Sequence, residues 1–588
     1  MIKIFKYLTP KDWAIIGASL IFIIAQVWLD LKLPDYMTEI TMLVQTPGSA
    51  MRDVYIAGGY MILCTLGSLI AAIIVGFFAA RVGTSFSQRL RSLLFNKVES
   101  FSMEEINRFS TSSLITRSTN DIIQIQMLLV LALQLVIKAP IMATWAITKI
   151  AGKGFEWSMA TGIAVIVILV LVTFLIAFVI PKFKKMQALI DDVTRVTREN
   201  LTGLRVVRAY NAEEYQKTKF ETANKALTDA QMFTNRAMAT MMPVLMATLN
   251  VLSLAIYWIG AYLIEAAQAI DKLIVFSNMV VFSMYAMQVI ISFIMVVIIF
   301  IMLPRASVSA KRINEVLDTN PSIVDGKEAA GKPDLVGEVT FNNVSFKYPD
   351  AADYVLDDIT FTAKQGETLA FIGSTGSGKS TLINLIPRLF DATKGEVLVD
   401  GVNVKDYKLE ALYSKIGYVP QKAVLFKGTV ESNVAYGDNR SDDDLSIDEV
   451  KKAIQIAQGT DFVEKMQDSY SAAITQGGTN VSGGQKQRLA IARAICRKPE
   501  IYIFDDSFSA LDYKTDRALR SKLKQETAGV TSIIVAQRIG TIMDADQILV
   551  LDQGKIVGKG NHKELLNSCS VYREIAMSQL SEEELDDE

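Results

Sequence analysis

Long apolar runs with few charges fill the chain as far as about residue 304, and from about residue 337 short β-type runs replace them. Six of the early runs, at 12–34, 54–80, 127–149, 157–180, 241–264 and 274–303, are long enough for membrane-spanning helices, each of which needs about 20 mostly apolar residues. The segments 81–126 and 181–240 lack Gly/Pro-rich texture and keep helical periodicity, as in Leu90, Leu93, Leu94, Lys97 and Val98. The pattern therefore predicts helices that run on beyond the spans before reversing. Two reversals, Ser102 to Ser113 and Tyr210 to Lys217, are expected docking points for a following domain.

Charge orients these helices. Arg81, Arg89, Arg91, Lys97, Arg108 and Arg117 lie in 81–126, and 181–240 holds eleven basic residues. The segments 35–53, 150–156 and 265–273 carry only Arg52, Lys153 and Lys272. An excess of Lys and Arg marks the cytoplasmic side, so both termini and the two long segments are expected there. Lys3 and Lys6 precede no short apolar core with a small-residue cleavage site, so no removable signal peptide is expected. Asp30 and Lys32, followed by Pro34, read as interfacial, with the lysine snorkelling to the headgroups. Lys138 falls near the middle of the third span, where a charge is costly, and is expected to face a polar cavity or a partner helix.

The second pattern carries chemistry. The β-type run Glu367–Ile372, apolar from Leu369, leads into Gly373-Ser374-Thr375-Gly376-Ser377-Gly378-Lys379-Ser380, with Thr381 next. Glycines at that spacing let backbone amides turn toward phosphates, Lys379 reaches the terminal phosphates, and the Ser380 hydroxyl suits Mg²⁺. A second apolar strand, Ile501–Phe504, ends in Asp505, followed by Asp506. A third, Ser532 to Ala536, ends in Gln537.

With Val481-Ser482-Gly483-Gly484-Gln485 and Ser509-Ala510-Leu511-Asp512 added, essentially the whole chain resembles ATP-binding cassette (ABC) transporters. The resemblance implies a membrane α-helical domain of six transmembrane helices with the type I/type IV exporter fold, fused to an α/β P-loop nucleotide-binding domain. It divides the chain into 1–310 (transmembrane), 311–336 (linker), 337–580 (nucleotide-binding) and an acidic tail, 581–588. It implies ATP and Mg²⁺ as ligands, with Ser380, Gln421 and Asp505 on the metal and Tyr348 stacked on adenine. Ser482, Gly483, Gly484 and Gln485 are expected to meet the γ-phosphate held by another subunit, and Asp512 to lie in the loop between two such domains.

Two positions depart from the family. A glutamate is expected where Asp506 stands and a histidine where Gln537 stands, and the one histidine of the chain is His562. The resemblance is therefore to the degenerate-site subunit of bacterial heterodimeric multidrug exporters, in the cell membrane. The implied partners are a second half-transporter carrying the missing Glu and His, an amphipathic or hydrophobic small molecule, and the bilayer. Two other readings stay open: a homodimeric lipid or peptide translocase that uses Asp506 directly, and a nucleotide-gated channel or regulator. A net charge of −2 gives no reason to expect nucleic acid, and Cys64, Cys496 and Cys569 are too dispersed for a disulfide framework or metal spacing.

Overall fold

The computed structural model describes residues 2–46, 48–268, 271–349, 351–437, 446–526 and 528–580. The acidic tail 581–588 lies outside the described residues. Contacts divide the chain into two units: Met1–Glu99 with Thr111–Thr319, and Ser100–Ser110 with Asn320–Glu588.

The first unit is helical. Five helices among the described residues are long and apolar enough to cross a membrane: Pro10–Gln45, Met51–Glu99, Thr111–Ile150, Pro243–Ala266 and Asp271–Val296. The expected count of six is not confirmed among the described residues. The 157–180 span falls in the helix Phe155–Thr202, of which the described apolar stretch, Phe155–Leu171, is shorter than a span requires. The last helix, Asp271–Asp318, continues into the stretch 311–336 expected to be the linker. Pro10–Gln45 is started by a capping box in which Thr9 and Asp12 exchange hydrogen bonds. Arg89 of the second helix reaches the same turn, donating to Asp12 Oδ2 at 2.9 Å and to the Tyr7 carbonyl at 2.8 Å. Trp157 is buried against Phe282 with ring centroids 5.6 Å apart, and its indole N–H donates to the Ile256 carbonyl at 3.1 Å.

The second unit is α/β. Its main sheet runs in the order Lys555–Gly560, Gln547–Asp552, Thr368–Gly373, Thr531–Val535, Ile501–Asp505, Ile416–Val419. All neighbours are parallel except the first pair. Both faces are covered. Leu369 and Phe371 enter one apolar core and Ala370 and Ile372 the other, as Ile501 and Ile503 oppose Tyr502 and Phe504. A strand buried on both faces reads as an unbroken apolar run, which is why these strands are visible in the sequence. A second, antiparallel sheet orders Leu356–Ala363, Val339–Phe346, Lys394–Val399 and Val402–Asn403.

The first reversal, Ser102 to Ser113, opens with a short helix, Met103–Phe109, that groups with this second unit. Glu105 is buried, accepts from the Ser102 amide at 2.8 Å, and also accepts from the Ser322 amide at 3.0 Å. Ser102 and Ser322 share a hydroxyl contact of 2.7 Å. The reversal at Tyr210 turns through Asn211, whose φ of 49° is a conformation that asparagine tolerates.

Candidate functional site

Parallel register brings together motifs that lie far apart in the chain. Val535 pairs with both Phe371 and Asp505, and Val419 pairs with Phe504. The residues that follow these strands therefore emerge on one edge, outside the carboxyl ends, where open α/β sheets bind ligands. Gly373–Ser380, Gln421, Asp505–Asp506 and Gln537 all emerge there.

The phosphate loop is closed around its own lysine. Lys379 is buried, and Nζ donates to the Gly373 and Ser374 carbonyls, each at 2.8 Å, and to Ser377 Oγ at 3.3 Å. Gly378 has φ +98°, and a Cβ there would sit 3.0 Å from the Val355 carbonyl, so only glycine fits. Thr375 and Gly376 are exposed at the rim. Tyr348 donates to or accepts from Thr381 Oγ1 at 3.1 Å and meets Phe390 edge-on at 5.4 Å, beside the loop.

Ser380 Oγ donates to Asp505 Oδ1 at 2.9 Å. A hydroxyl and a carboxylate side by side are hard oxygen donors, and Mg²⁺ is typically held by one or two such groups together with substrate phosphates. The donor set fits that ion. Burial raises the Asp505 carboxyl above its ordinary value, with the neighbouring Asp506 charge adding and the Ser380 hydrogen bond opposing. Burial lowers Lys379 in turn, opposed by the charges of Asp506 and Asp505.

The two departing residues are bonded to each other. Gln537 Nε2 donates to Asp506 Oδ2 at 2.9 Å, and Gln421 Nε2 approaches the same oxygen at 3.4 Å. Asp506 is buried, adopts φ 47°, and keeps a backbone bond to the Val535 carbonyl at 2.9 Å. Burial raises its carboxyl above the ordinary value; Gln421, Ser509, Arg538 and Lys379 oppose that rise.

Sequence reasoning missed Gln579. Its Oε1 accepts from the Ile539 amide and its Nε2 donates to the Gln537 carbonyl, both at 2.8 Å, so it braces the turn that presents Gln537. A lone glutamine 42 residues downstream carries no pattern that would reveal this. Replacing Gln579 by alanine removes both bonds, each worth about 0.5–1.5 kcal/mol. The Ile539 amide should then exchange about tenfold faster by hydrogen-exchange mass spectrometry, with the sheet amides unchanged.

Ser482, Gly483, Gly484 and Gln485 open the helix Gly483–Cys496 and share no hydrogen bond with the phosphate loop among the described residues. Ser482 N donates to Gln485 Oε1 at 2.8 Å and Gln485 N to Ser482 Oγ at 3.3 Å, a capping box that fixes the turn. A Cβ on Gly483 would meet nothing within 4 Å. One on Gly484 would lie 3.2 Å from the Ala510 carbonyl, in the loop that ends at Asp512. Asp512 is exposed and accepts from the Thr515 amide at 3.0 Å, capping the next helix.

Known proteins match both units. Residues 356–509 match the ABC transporter family and residues 15–293 the ABC transporter transmembrane region. The chain is 35% identical over 595 residues to the uncharacterized ABC transporter ATP-binding protein YfiB of Bacillus subtilis, covering 99% of each. It is 35% identical over 391 residues to the ATP-dependent lipid A-core flippase of Pseudomonas fluorescens, covering 66% of this chain and 63% of the flippase. Among solved structures, a bacterial Atm1-family ABC exporter with ATP bound superposes with a TM-score of 0.81 at 25% identity, covering 97% of this chain and 98% of that one.

Proposed function

The chain belongs to the ABC transporters, and from that premise we propose that this ATP-driven exporter is one half of a heterodimeric multidrug efflux pump whose own ATP site is catalytically degenerate. The observation that carries the reading is the Gln537–Asp506 hydrogen bond of 2.9 Å. A carboxylate one methylene shorter than glutamate, buried and bound by side-chain amides, is poorly placed to take a proton from an attacking water, since general-base catalysis needs hydrogen-bond reach. The Gln537 amide carries no titratable proton and cannot replace a histidine.

In this reading ATP is the substrate. Tyr348 stacks on its adenine, and Gly373 to Thr381 bind its phosphates. Lys379 exchanges its loop carbonyls for phosphate oxygens. Ser380, Asp505 and Gln421 would hold Mg²⁺, which would neutralise phosphate charge when bound with the nucleotide. Ser482 to Gln485 and Asp512 serve the partner's phosphate loop, where hydrolysis resets an alternating-access cycle. The chain spans the cell membrane with both termini in the cytoplasm, a placement supported by the basic residues of 81–126 and 181–240.

Similarity to a lipid A-core flippase favours a second reading, a homodimeric lipid translocase that works slowly through Asp506. Native mass spectrometry of the tagged protein, extracted gently from its own membranes, separates the two. This 64.9 kDa chain bound to one different chain of similar size is the expected result. The partner's sequence should then carry the missing Glu and His. Two identical chains would overturn the heterodimer.

A further inference from the structure

Four helices of the first unit converge on one aspartate. Asp30, on Pro10–Gln45, accepts from Lys138 Nζ at 3.0 Å through Oδ2 and from the Ser68 hydroxyl through Oδ1. Ser68 lies on Met51–Glu99. Gln288, on Asp271–Asp318, donates from Nε2 to the Asp30 carbonyl at 3.3 Å. Lys138, expected to face a polar cavity or a partner helix, meets Asp30 on the first helix. A π-helical segment, Ala132–Val136, lies just before Lys138, and Pro34 lies just beyond Asp30. Such interruptions of regular helix are frequent at functional sites.

A second layer lies beside the first. Asp35 accepts from Lys149 at 2.7 Å and from the Tyr285 hydroxyl at 2.6 Å, with Lys32 at 3.9 Å. Lys153 Nζ lies 5.8 Å from the Tyr285 ring centroid.

The cluster is incomplete in two respects. Lysines 32, 138, 149 and 153 face aspartates 30 and 35, so two positive charges have no counter-charge within it. The Gln288 Oε1 atom is buried with no hydrogen-bond partner. Asp30 and Lys138 match each other, so the excess lies around Asp35, where the Lys32 and Lys149 side chains are 36% and 33% exposed and open to an anion, while the buried Gln288 atom is costly to leave unmatched. Water would satisfy Gln288, but it would not neutralise the excess charge. An anion that also offers a hydroxyl does both. The helices that carry the cluster expose apolar side chains such as Trp28 and Leu66, which suit a hydrocarbon tail.

We propose that Asp30, Lys138 and Gln288, with Lys149 and Lys32 beside them, form a binding site for the anionic, hydroxyl-bearing headgroup of an amphiphile. This rests on the exporter reading and narrows its substrate class. It does not depend on which ATP site hydrolyses.

The test uses the complex extracted from its own membranes and placed in phosphatidylcholine nanodiscs without nucleotide. Native mass spectrometry then measures retention of added dioleoylphosphatidylglycerol, dodecyl phosphate or a cationic lipid. Wild type should retain the phosphatidylglycerol at least tenfold better than the cationic lipid. Lys32→Gln combined with Lys149→Gln removes the two cations in excess while Lys153 stays beside the Asp35–Tyr285 pair, and should abolish that preference. Gln288→Leu leaves the ion pair in place and should weaken phosphatidylglycerol severalfold while leaving dodecyl phosphate, which has no glycerol hydroxyl, little changed. This second variant keeps the test decisive if the first does not assemble. Retention of dodecyl phosphate as well would assign the site to a phosphate headgroup on either a one-chain or a two-chain carrier; retention of phosphatidylglycerol alone would assign it to a membrane lipid. Equal retention of anionic and cationic lipid, or an anionic preference that survives both variants, would overturn the site. The same spectra report subunit stoichiometry, so failure of the heterodimer and failure of this site are read separately.

Discussion

Replacing Asp506 by glutamate and Gln537 by histidine together raises ATP turnover at this chain's own site by about 10²-fold or more, the scale on which a positioned general base acts. The geometry requires both changes. Gln537 Nε2 occupies Asp506 Oδ2 at 2.9 Å, so a glutamate installed alone still meets an amide that draws its carboxylate aside. Asp506 also sits at φ 47°, where aspartate is tolerated better than longer residues, and the substituted backbone must pay about 1 kcal/mol or relax. A histidine installed alone faces a short, buried carboxylate and is captured as its ion-pair partner. In the heterodimer proposed above, the measurement is phosphate release by the assembled complex after the catalytic glutamate expected of the partner has been changed to glutamine, which would silence the other site. Turnover unchanged in the double variant would mean that catalysis is limited elsewhere and that these two residues do not define the site.

Much of this was legible in the sequence for a physical reason. Strands buried on both faces are written as unbroken apolar runs, so Leu369–Ile372, Ile501–Phe504 and Ile533–Val535 announce themselves. The glycine-rich loop follows one of them directly. Which residues meet at the strand ends was not legible, because parallel neighbours are set by crossover topology rather than by spacing: Gln421 and Asp506 approach across 85 residues. The same holds in the membrane unit, where Lys138 and Asp30 pair across 108 residues and Lys149 and Asp35 across 114. Charge in an apolar run signals that a partner exists, but hydropathy does not identify it. Ser482 and Gln485 illustrate a different limit. Their spacing is that of a capping box, and in this chain they hold the turn for each other; the open face of that turn is at Gly483.

That open face gives the sharpest separation of roles. Changing Gly483 to glutamate should lower ATP hydrolysis by the whole complex about 10²-fold or more, the usual effect of spoiling one preorganised contact to transition-state charge. The chain itself should fold normally. A Cβ at Gly483 meets nothing within 4 Å, and the helix Gly483–Cys496 keeps its Ser482–Gln485 cap. In the proposed complex the added carboxylate would face the phosphate that the partner presents, and like charges at close range repel. Lys379→Ala is the counterpart. It removes the cation that bonds Gly373, Ser374 and Ser377, weakens nucleotide binding at this chain's own loop, and should leave most of the turnover of the complex intact. Measured side by side in the reconstituted complex, a large loss from Gly483→Glu with a small one from Lys379→Ala is what a degenerate own site and a shared competent site require. The reverse order would mean that the chain hydrolyses ATP on its own loop, with Asp506 as its base despite the hydrogen bond from Gln537.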